Sequence, residues 1–109
     1  MGREKSQIIL EVVKDFKEKV KEDYGVDKLI LFGSQATGDA KMDSDIDLIV
    51  VSRKIKDKLT FLSELYHEWH LNQKIDYPVD FLCFTPEEFE KKSKQVTIVR
   101  VALKEGVMV

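Results

Sequence analysis

The sequence has very few of the features that mark secreted or membrane proteins. Cys83 is the only cysteine among 109 residues, so no disulfide can form within the chain. No apolar run approaches the roughly 20 residues that a helix needs to cross a bilayer, and the first six residues lead into no apolar segment of a secretion signal. We therefore expect a cytoplasmic protein that does not enter a membrane.

The sequence also lacks an excess of positive charge. It carries 18 lysine and arginine residues against 20 aspartate and glutamate residues, which gives a net charge of −2. Because sequence-independent nucleic-acid binding depends on many phosphate contacts from basic side chains, the composition argues against strong nucleic-acid binding. With 43% hydrophobic and 35% charged residues, the chain is expected to fold as one domain over residues 1–109.

Three segments carry apolar residues at helical spacing, and these are 6–24, 54–73 and 92–103. In the third segment a run of β-branched residues also suits a strand, but Val99 and Leu103 share one helical face, so a helix is predicted. A further helix is expected to begin at Pro86, because Thr85 and Glu88 around it form the pattern of a capping box.

Short apolar runs predict strands between these helices. Three such runs occur, at 28–32, 45–51 and 79–84, and their length and content favour strands over helices. Gly106 is expected to end the last helix, and 107–109 could then add a short edge strand. The segment between the first two strands carries glycines and polar residues without periodicity, which predicts a loop.

Two aspartates open the second predicted strand. Asp45 and Asp47 are two residues apart, so in a strand both carboxylates project from the same side. Neighbouring carboxylates that both stay ionised repel each other, and a divalent cation between them removes that repulsion. Mg²⁺ suits such a site because it binds one or two carboxylates together with phosphate oxygens, and Mn²⁺ is the alternative ion.

A third carboxylate lies in the third predicted strand. Asp80 is the second residue of an apolar run, where a charged side chain has to face a metal, a partner or solvent. Beside Asp45 and Asp47 it would complete a site for two metal ions, of the kind that displaces groups at phosphorus, and would activate the attacking hydroxyl. Asp76 is an alternative third carboxylate, but its turn-like surroundings before a proline favour Asp80.

Gly33 and Ser34 follow the first predicted strand. Glycine lets a ligand approach the backbone closely, and successive amide groups with a hydroxyl can bind phosphate oxygens. A helical turn that starts at Ser34 would add its free N–H groups to the same site. We therefore predict that these residues bind the phosphates of ATP or of another nucleoside triphosphate.

Taken together, the motifs resemble those of a known family. The segments L-F-G-S-Q-A-T-G-D-A at 31–40, S-D-I-D-L-I-V at 44–50 and V-D-F at 79–81 are similar to those of the polymerase-β-like nucleotidyltransferase superfamily, especially its minimal nucleotidyltransferase (MNT) branch in prokaryotes. The resemblance implies an α/β (α+β) fold. Its small mixed β-sheet would have three to four strands, with helices packed mainly on one face.

The resemblance also implies a role for each site residue. Asp45 and Asp47 would bind both metal ions, and Asp80 would bind one of them. Gly33 and Ser34 would hold the distal phosphates of the nucleotide.

The loop after Ser34 departs from the family pattern. Relatives often carry arginines there, whereas this sequence has Gln35 and Thr37, which leaves Lys41 as the nearest basic residue. Glutamine cannot replace the charge-assisted contacts that arginine makes with phosphate. Lys41 is therefore the predicted basic contact to the nucleotide, and weak nucleotide binding is expected.

Two functions are compatible with these residues. The first is an enzyme that transfers a nucleoside monophosphate, AMP from ATP in the first instance, to a hydroxyl of a protein or small acceptor by a two-metal mechanism. The second is an antitoxin-type binding module. Many members of the MNT branch are encoded beside a helical HEPN-type ribonuclease toxin and adenylylate a tyrosine on it, so the resemblance implies such a partner. An antitoxin could also neutralise this toxin by binding it without modifying it. A homo-oligomer is compatible with both functions.

Overall fold

The computed structural model describes residues 5–33, 45–95 and 98–109 of the chain. Helix α1 spans Lys5–Asp23 and strand β1 spans Val26–Phe32. Gly25 lies between them with a φ of +59°, the left-handed conformation that commonly ends a helix. None of the described helices is both long enough and apolar enough to cross a bilayer.

The later elements continue the alternation of strands and helices. They are strand β2 (Ile46–Ser52), helix α2 (Lys58–His67), strand β3 (Val79–Phe84), helix α3 (Pro86–Ser93), helix α4 (Ile98–Glu105) and strand β4 (Val107–Met108). Helix α2 runs directly into a π-helical turn, Glu68–Asn72. The tail was predicted as one helix over 92–103. It is helical only from Ile98, because α3 ends at Ser93 and a turn follows it. Val99 and Ala102 are buried on one side of α4.

The four strands form one mixed sheet in the order β3-β2-β1-β4. Strand β1 pairs antiparallel with β2 and with β4, whereas β2 and β3 are parallel. A parallel pair needs a long crossover, which α2 and the turn after it provide. As a result, the C-terminal end of β1 and the N-terminal ends of β2 and β3 lie at the same end of the sheet.

Helices cover both faces of the sheet, with the longer helices on one of them. Helices α1 and α2 and the π-helical turn contribute the larger core, through Ile9, Val13, Phe16, Val20, Phe61, Leu65 and Trp69. The shorter helices α3 and α4 pack Phe89, Val99 and Ala102 against strand residues of the other face, namely Ile30, Ile49, Val51 and Phe84. The predicted α+β fold with a small mixed sheet is confirmed.

Thr85 caps helix α3 as the sequence predicted. The Glu88 N–H donates to the Thr85 hydroxyl at 3.3 Å, and the Thr85 N–H donates to the Glu88 carboxylate at 3.0 Å. We expect Thr85→Ala to lower the free energy of unfolding by about 1 kcal/mol, because one N–H of the first turn loses its partner. Chemical denaturation measures the difference. Thr85→Ser keeps the hydroxyl and serves as the control, so equal losses in both variants would contradict the capping role.

Candidate active site

Asp47 and Asp80 are direct neighbours on adjacent strands. In the parallel register of β2 and β3, Asp47 lies opposite Asp80, and neighbouring strands are about 4.8 Å apart. Side chains alternate along a strand, so Asp47 shares its sheet face with Ile49, and Asp80 shares its face with Phe84. Both of these apolar residues belong to the core under α3 and α4. The two carboxylates therefore project from adjacent positions on that face.

Asp45 joins this pair from the position just before β2. The sequence placed Asp45 inside the strand, whereas the strand begins at Ile46 and Asp45 is exposed. Together with burial, the negative charge of Asp45 nevertheless raises the pKa of Asp80, which places the two side chains within electrostatic reach of each other. The structure thus brings together the three carboxylates singled out in the sequence. Asp76, the alternative, is exposed before β3.

Burial and the close approach of the three carboxylates raise the pKa values of Asp47 and Asp80. Partial burial raises the pKa of Asp47, and the negative charges of Asp80 and Asp45 raise it further. Desolvation also raises the pKa of Asp80, followed by the charge of Asp45. A cation would relieve the repulsion among these groups.

The donor chemistry of this group fits a hard divalent ion. Three aspartate side chains in electrostatic contact offer only oxygen ligands, which Mg²⁺ prefers. Within 5–33, 45–95 and 98–109, no group of three acidic, histidine or cysteine side chains is already arranged to hold a metal ion. The assignment of a divalent metal ion to this group therefore rests on the oxygen donors of the three aspartates and on their common position at one end of the sheet.

Gly33 lies directly against Asp47. It follows Phe32, which pairs with Asp47 in the sheet, and it has a φ of +74°. A β-carbon at Gly33 would overlap Oδ2 of the Asp47 carboxylate. Glycine is therefore required here both for its backbone conformation and for the space that the carboxylate occupies. The other two predicted nucleotide contacts, Ser34 and Lys41, lie outside the described residues.

A cleft of about 590 Å³ opens over these residues. Its described lining consists of Phe32, Gly33, Asp47, Asp80, Phe81, Leu82, Val101, Ala102 and Glu105. Helix α4 therefore forms one wall, which the sequence analysis did not predict because the packing partner of a helix cannot be read from its own pattern. Val101, an apolar residue of this wall, is 51% exposed.

The raised pKa values should make the metal-free protein less stable as pH rises. A carboxyl group with a higher pKa in the folded chain binds its proton more tightly there, so the free energy of unfolding falls as pH rises through the raised value. In the presence of a chelator, we expect Asp47→Asn to raise the melting temperature at pH 7 and to lose this advantage below about pH 4. Thermal denaturation at both pH values measures this, with Asp76→Asn as the control. Equal melting temperatures for Asp47→Asn and wild type at pH 7 would contradict the expectation.

Comparison with known proteins decides the family. A model of the nucleotidyltransferase domain matches residues 13–109. The chain belongs to the nucleotidyltransferase domain family. This confirms the family resemblance that was drawn from the glycine-serine and aspartate motifs, and the protein is a transferase.

Individual relatives agree with this assignment. Over 69 residues, the nucleotidyltransferase domain is 41% identical to a Methanocaldococcus jannaschii protein provisionally named as a protein adenylyltransferase, and the match covers 62% of this chain and 80% of that protein. Over 61 residues, it is 38% identical to the protein adenylyltransferase MntA of Thermococcus cleftensis, covering 55% of this chain and 62% of that protein.

A solved structure supports the fold. One chain of a toxin-antitoxin structure with AMP-PNP superimposes with a TM-score of 0.53 at 20% identity, and the match covers 96% of this chain and 72% of that one. At this level of identity the likeness concerns the fold of the nucleotidyltransferase domain.

Proposed function

We propose that this nucleotidyltransferase domain transfers AMP from ATP to a hydroxyl group of a protein, in a reaction that requires Mg²⁺ or Mn²⁺. The observation that carries the proposal is the pairing of Asp47 with Asp80 across parallel strands, with Gly33 packed against Asp47. The two relatives named as protein adenylyltransferases support AMP as the transferred group and a protein as the acceptor.

We assign the three aspartates to metal binding. Asp45 and Asp47 would hold two ions and Asp80 one of them, and such ions would supply positive charge that stabilises the reacting phosphate group. The acceptor oxygen forms a bond to the α-phosphorus, the bond from that phosphorus to the bridging oxygen breaks, and pyrophosphate leaves. Asp80 accepts the proton of the attacking hydroxyl.

The phosphate end of the nucleotide is assigned to Gly33 and to residues that follow it in the chain. The backbone of Gly33 can approach the distal phosphates closely because it has no side chain. Ser34 and Lys41 are proposed to complete these contacts. With Gln35 and Thr37 in the places where relatives often carry arginine, binding should depend strongly on the metal ions.

Label transfer tests this function. The protein is incubated with Mg²⁺, ATP labelled at the α-phosphate and the protein encoded by the neighbouring gene, with γ-labelled ATP in a parallel reaction. We expect only the α-label to become attached to the acceptor, and Asp80→Asn to abolish the attachment. Attachment of the γ-label would indicate phosphorylation, and no attachment of either label would overturn the proposal.

We also propose a toxin as the protein partner, of the helical HEPN type. The support is the solved toxin-antitoxin structure whose chain shares this fold, together with the motif resemblance to the MNT branch. Co-expression and co-purification with the neighbouring gene product test the partnership. Neutralisation that survives the combined Asp45→Asn, Asp47→Asn and Asp80→Asn replacements would favour an antitoxin that acts by contact.

A further inference from the structure

The strand that carries Asp80 lies at one edge of the sheet formed by the described residues. The Ile46 N–H bonds to the Pro78 carbonyl oxygen at 2.9 Å, and Ile46 lies opposite Val79 in the parallel pairing. In such a ladder, alternate residues of a strand direct both of their backbone groups towards the same neighbour. Asp80 therefore directs its backbone groups towards β2, whereas the N–H of the next residue, Phe81, points away from β2.

The Tyr66 hydroxyl reaches this outward-pointing N–H. It accepts a hydrogen bond from the Phe81 N–H at 3.4 Å, and the two aromatic rings pack edge to face with their centroids 5.0 Å apart. The peptide group between Asp80 and Phe81 is planar, so its carbonyl and its N–H move together. In the parallel ladder β2 holds the carbonyl, and Tyr66 holds the N–H. The backbone that carries the Asp80 side chain is thus held from two sides.

A second contact from the same helical segment holds the chain on the other side of Asp80. The Trp69 indole N–H donates to the Tyr77 carbonyl oxygen at 2.9 Å, and Trp69 is fully buried. Tyr66 belongs to α2, and Trp69 belongs to the π-helical turn that continues it. Together, the two side chains hold the backbone three residues before Asp80 and one residue after it.

The effect of Tyr66 on Asp80 has to pass through the backbone. Phe81 is part of the larger core, and Tyr66 packs against that core. Side chains alternate along a strand, so the Asp80 side chain projects from the other face of the sheet, where it lines the cleft. Tyr66 therefore does not touch a metal ion at the Asp80 carboxylate, but it affects where that carboxylate lies.

We propose that Tyr66 is a positioning residue, which acts through the Phe81 N–H to hold the Asp80 carboxylate where it binds metal beside Asp47. The inference rests on the proposed function, in which Asp80 binds one of the metal ions. Mg²⁺ binds its ligands at short distances in a nearly fixed octahedral geometry, so a displaced ligand weakens binding. Groups that orient the ligands of a metal ion consequently affect its affinity.

The test compares two variants that lose the same hydroxyl group. Tyr66→Phe removes the hydrogen-bond acceptor and keeps the ring. Tyr24→Phe makes the same change at the other end of β2 from Asp47, where the Ser52 hydroxyl donates to the Tyr24 carbonyl oxygen. Electron paramagnetic resonance measures the binding of Mn²⁺ to the protein alone. We expect Tyr66→Phe to bind Mn²⁺ roughly three- to tenfold more weakly than wild type, as for the loss of one hydrogen bond. Tyr24→Phe should keep the wild-type affinity.

Hydrogen exchange of the Phe81 amide gives a second measurement that does not depend on metal. In Tyr66→Phe this amide loses its acceptor, so it should exchange roughly three- to tenfold faster than in wild type. The Leu82 amide points towards β2 and serves as the internal reference, because a general loss of stability would accelerate both amides. In Tyr24→Phe the ratio of the two exchange rates should equal that of wild type.

The remaining outcomes separate the inference from the proposed function. Equal Mn²⁺ affinities of wild type and Tyr66→Phe would overturn the inference and leave the proposed function standing. An equal loss of affinity in Tyr24→Phe, or an unchanged exchange ratio in Tyr66→Phe, would do the same. Wild type that does not bind Mn²⁺ would refute the proposed metal site and the inference with it. If Tyr66→Phe does not fold, wild type decides, because a Phe81 amide that exchanges as fast as in an unfolded chain overturns the inference.

Discussion

Asp47→Asn is expected to lower the rate of AMP transfer by roughly a thousandfold or more, because the central carboxylate of the proposed metal site loses its charge. Asp47 is the member of the group that lies opposite Asp80 and against Gly33. Asparagine has nearly the same shape, so the fold and the Gly33 contact should remain. The initial rate of α-label transfer at saturating ATP and Mg²⁺ measures the effect.

Asp76→Asn is the matched control for this replacement. It makes the same chemical change at an exposed position outside the cleft lining, and the transfer rate should stay close to that of wild type. Comparable losses in both variants would instead favour Asp76 as a functional carboxylate. An Asp47→Asn enzyme with more than a tenth of the wild-type rate would argue against the metal-binding role of Asp47.

Gly33→Ala is expected to impair both catalysis and stability. The added methyl group would collide with the Asp47 carboxylate, and alanine disfavours the observed φ of +74°. Moving the carboxylate by about 1 Å should cost roughly a hundredfold in transfer rate. The backbone strain should lower the free energy of unfolding by roughly 1–3 kcal/mol. Label transfer and chemical denaturation measure the two effects on the same preparation.

Gly25→Ala separates the two effects. Gly25 also has a positive φ, +59°, but lies between α1 and β1, at the other end of β1 from Gly33. A β-carbon there would meet the Lys54 side chain, which is flexible and can move away. We expect a similar loss of stability with an unchanged transfer rate. If both glycine variants lose activity equally, the loss comes from general destabilisation and not from the contact between Gly33 and Asp47.

The local structure of this protein could be predicted from its sequence. The capping pattern of Thr85 and Glu88 predicted where α3 begins, because the atoms that satisfy the first turn are only three residues apart. The apolar spacing of α1 predicted which of its side chains are buried, since one helical face must contact the core. The spacing of Asp45 and Asp47 predicted that both carboxylates belong to one site, but it wrongly placed Asp45 inside β2, which begins only at Ile46.

The sequence also predicted the family through residues that act in combination. Gly33, Asp45, Asp47 and Asp80 matched the family pattern, and the nucleotidyltransferase family is confirmed. The chemistry of three carboxylates and a glycine is a property of the residue types themselves. It could therefore be recognised before the positions of the residues were known.

Only the tertiary structure decided how these residues meet. The register that sets Asp47 opposite Asp80 joins strands separated by a whole helix, and such long-range pairing depends on how the entire core packs. The same holds for α4, which packs against the sheet and brings Val101 and Glu105 to the cleft. Nothing within the sequence of α4 specifies that neighbour. The residue types of the candidate site could thus be recognised in short sequence motifs. The shape and charge of the cleft around them depend on contacts between segments that are distant in the sequence.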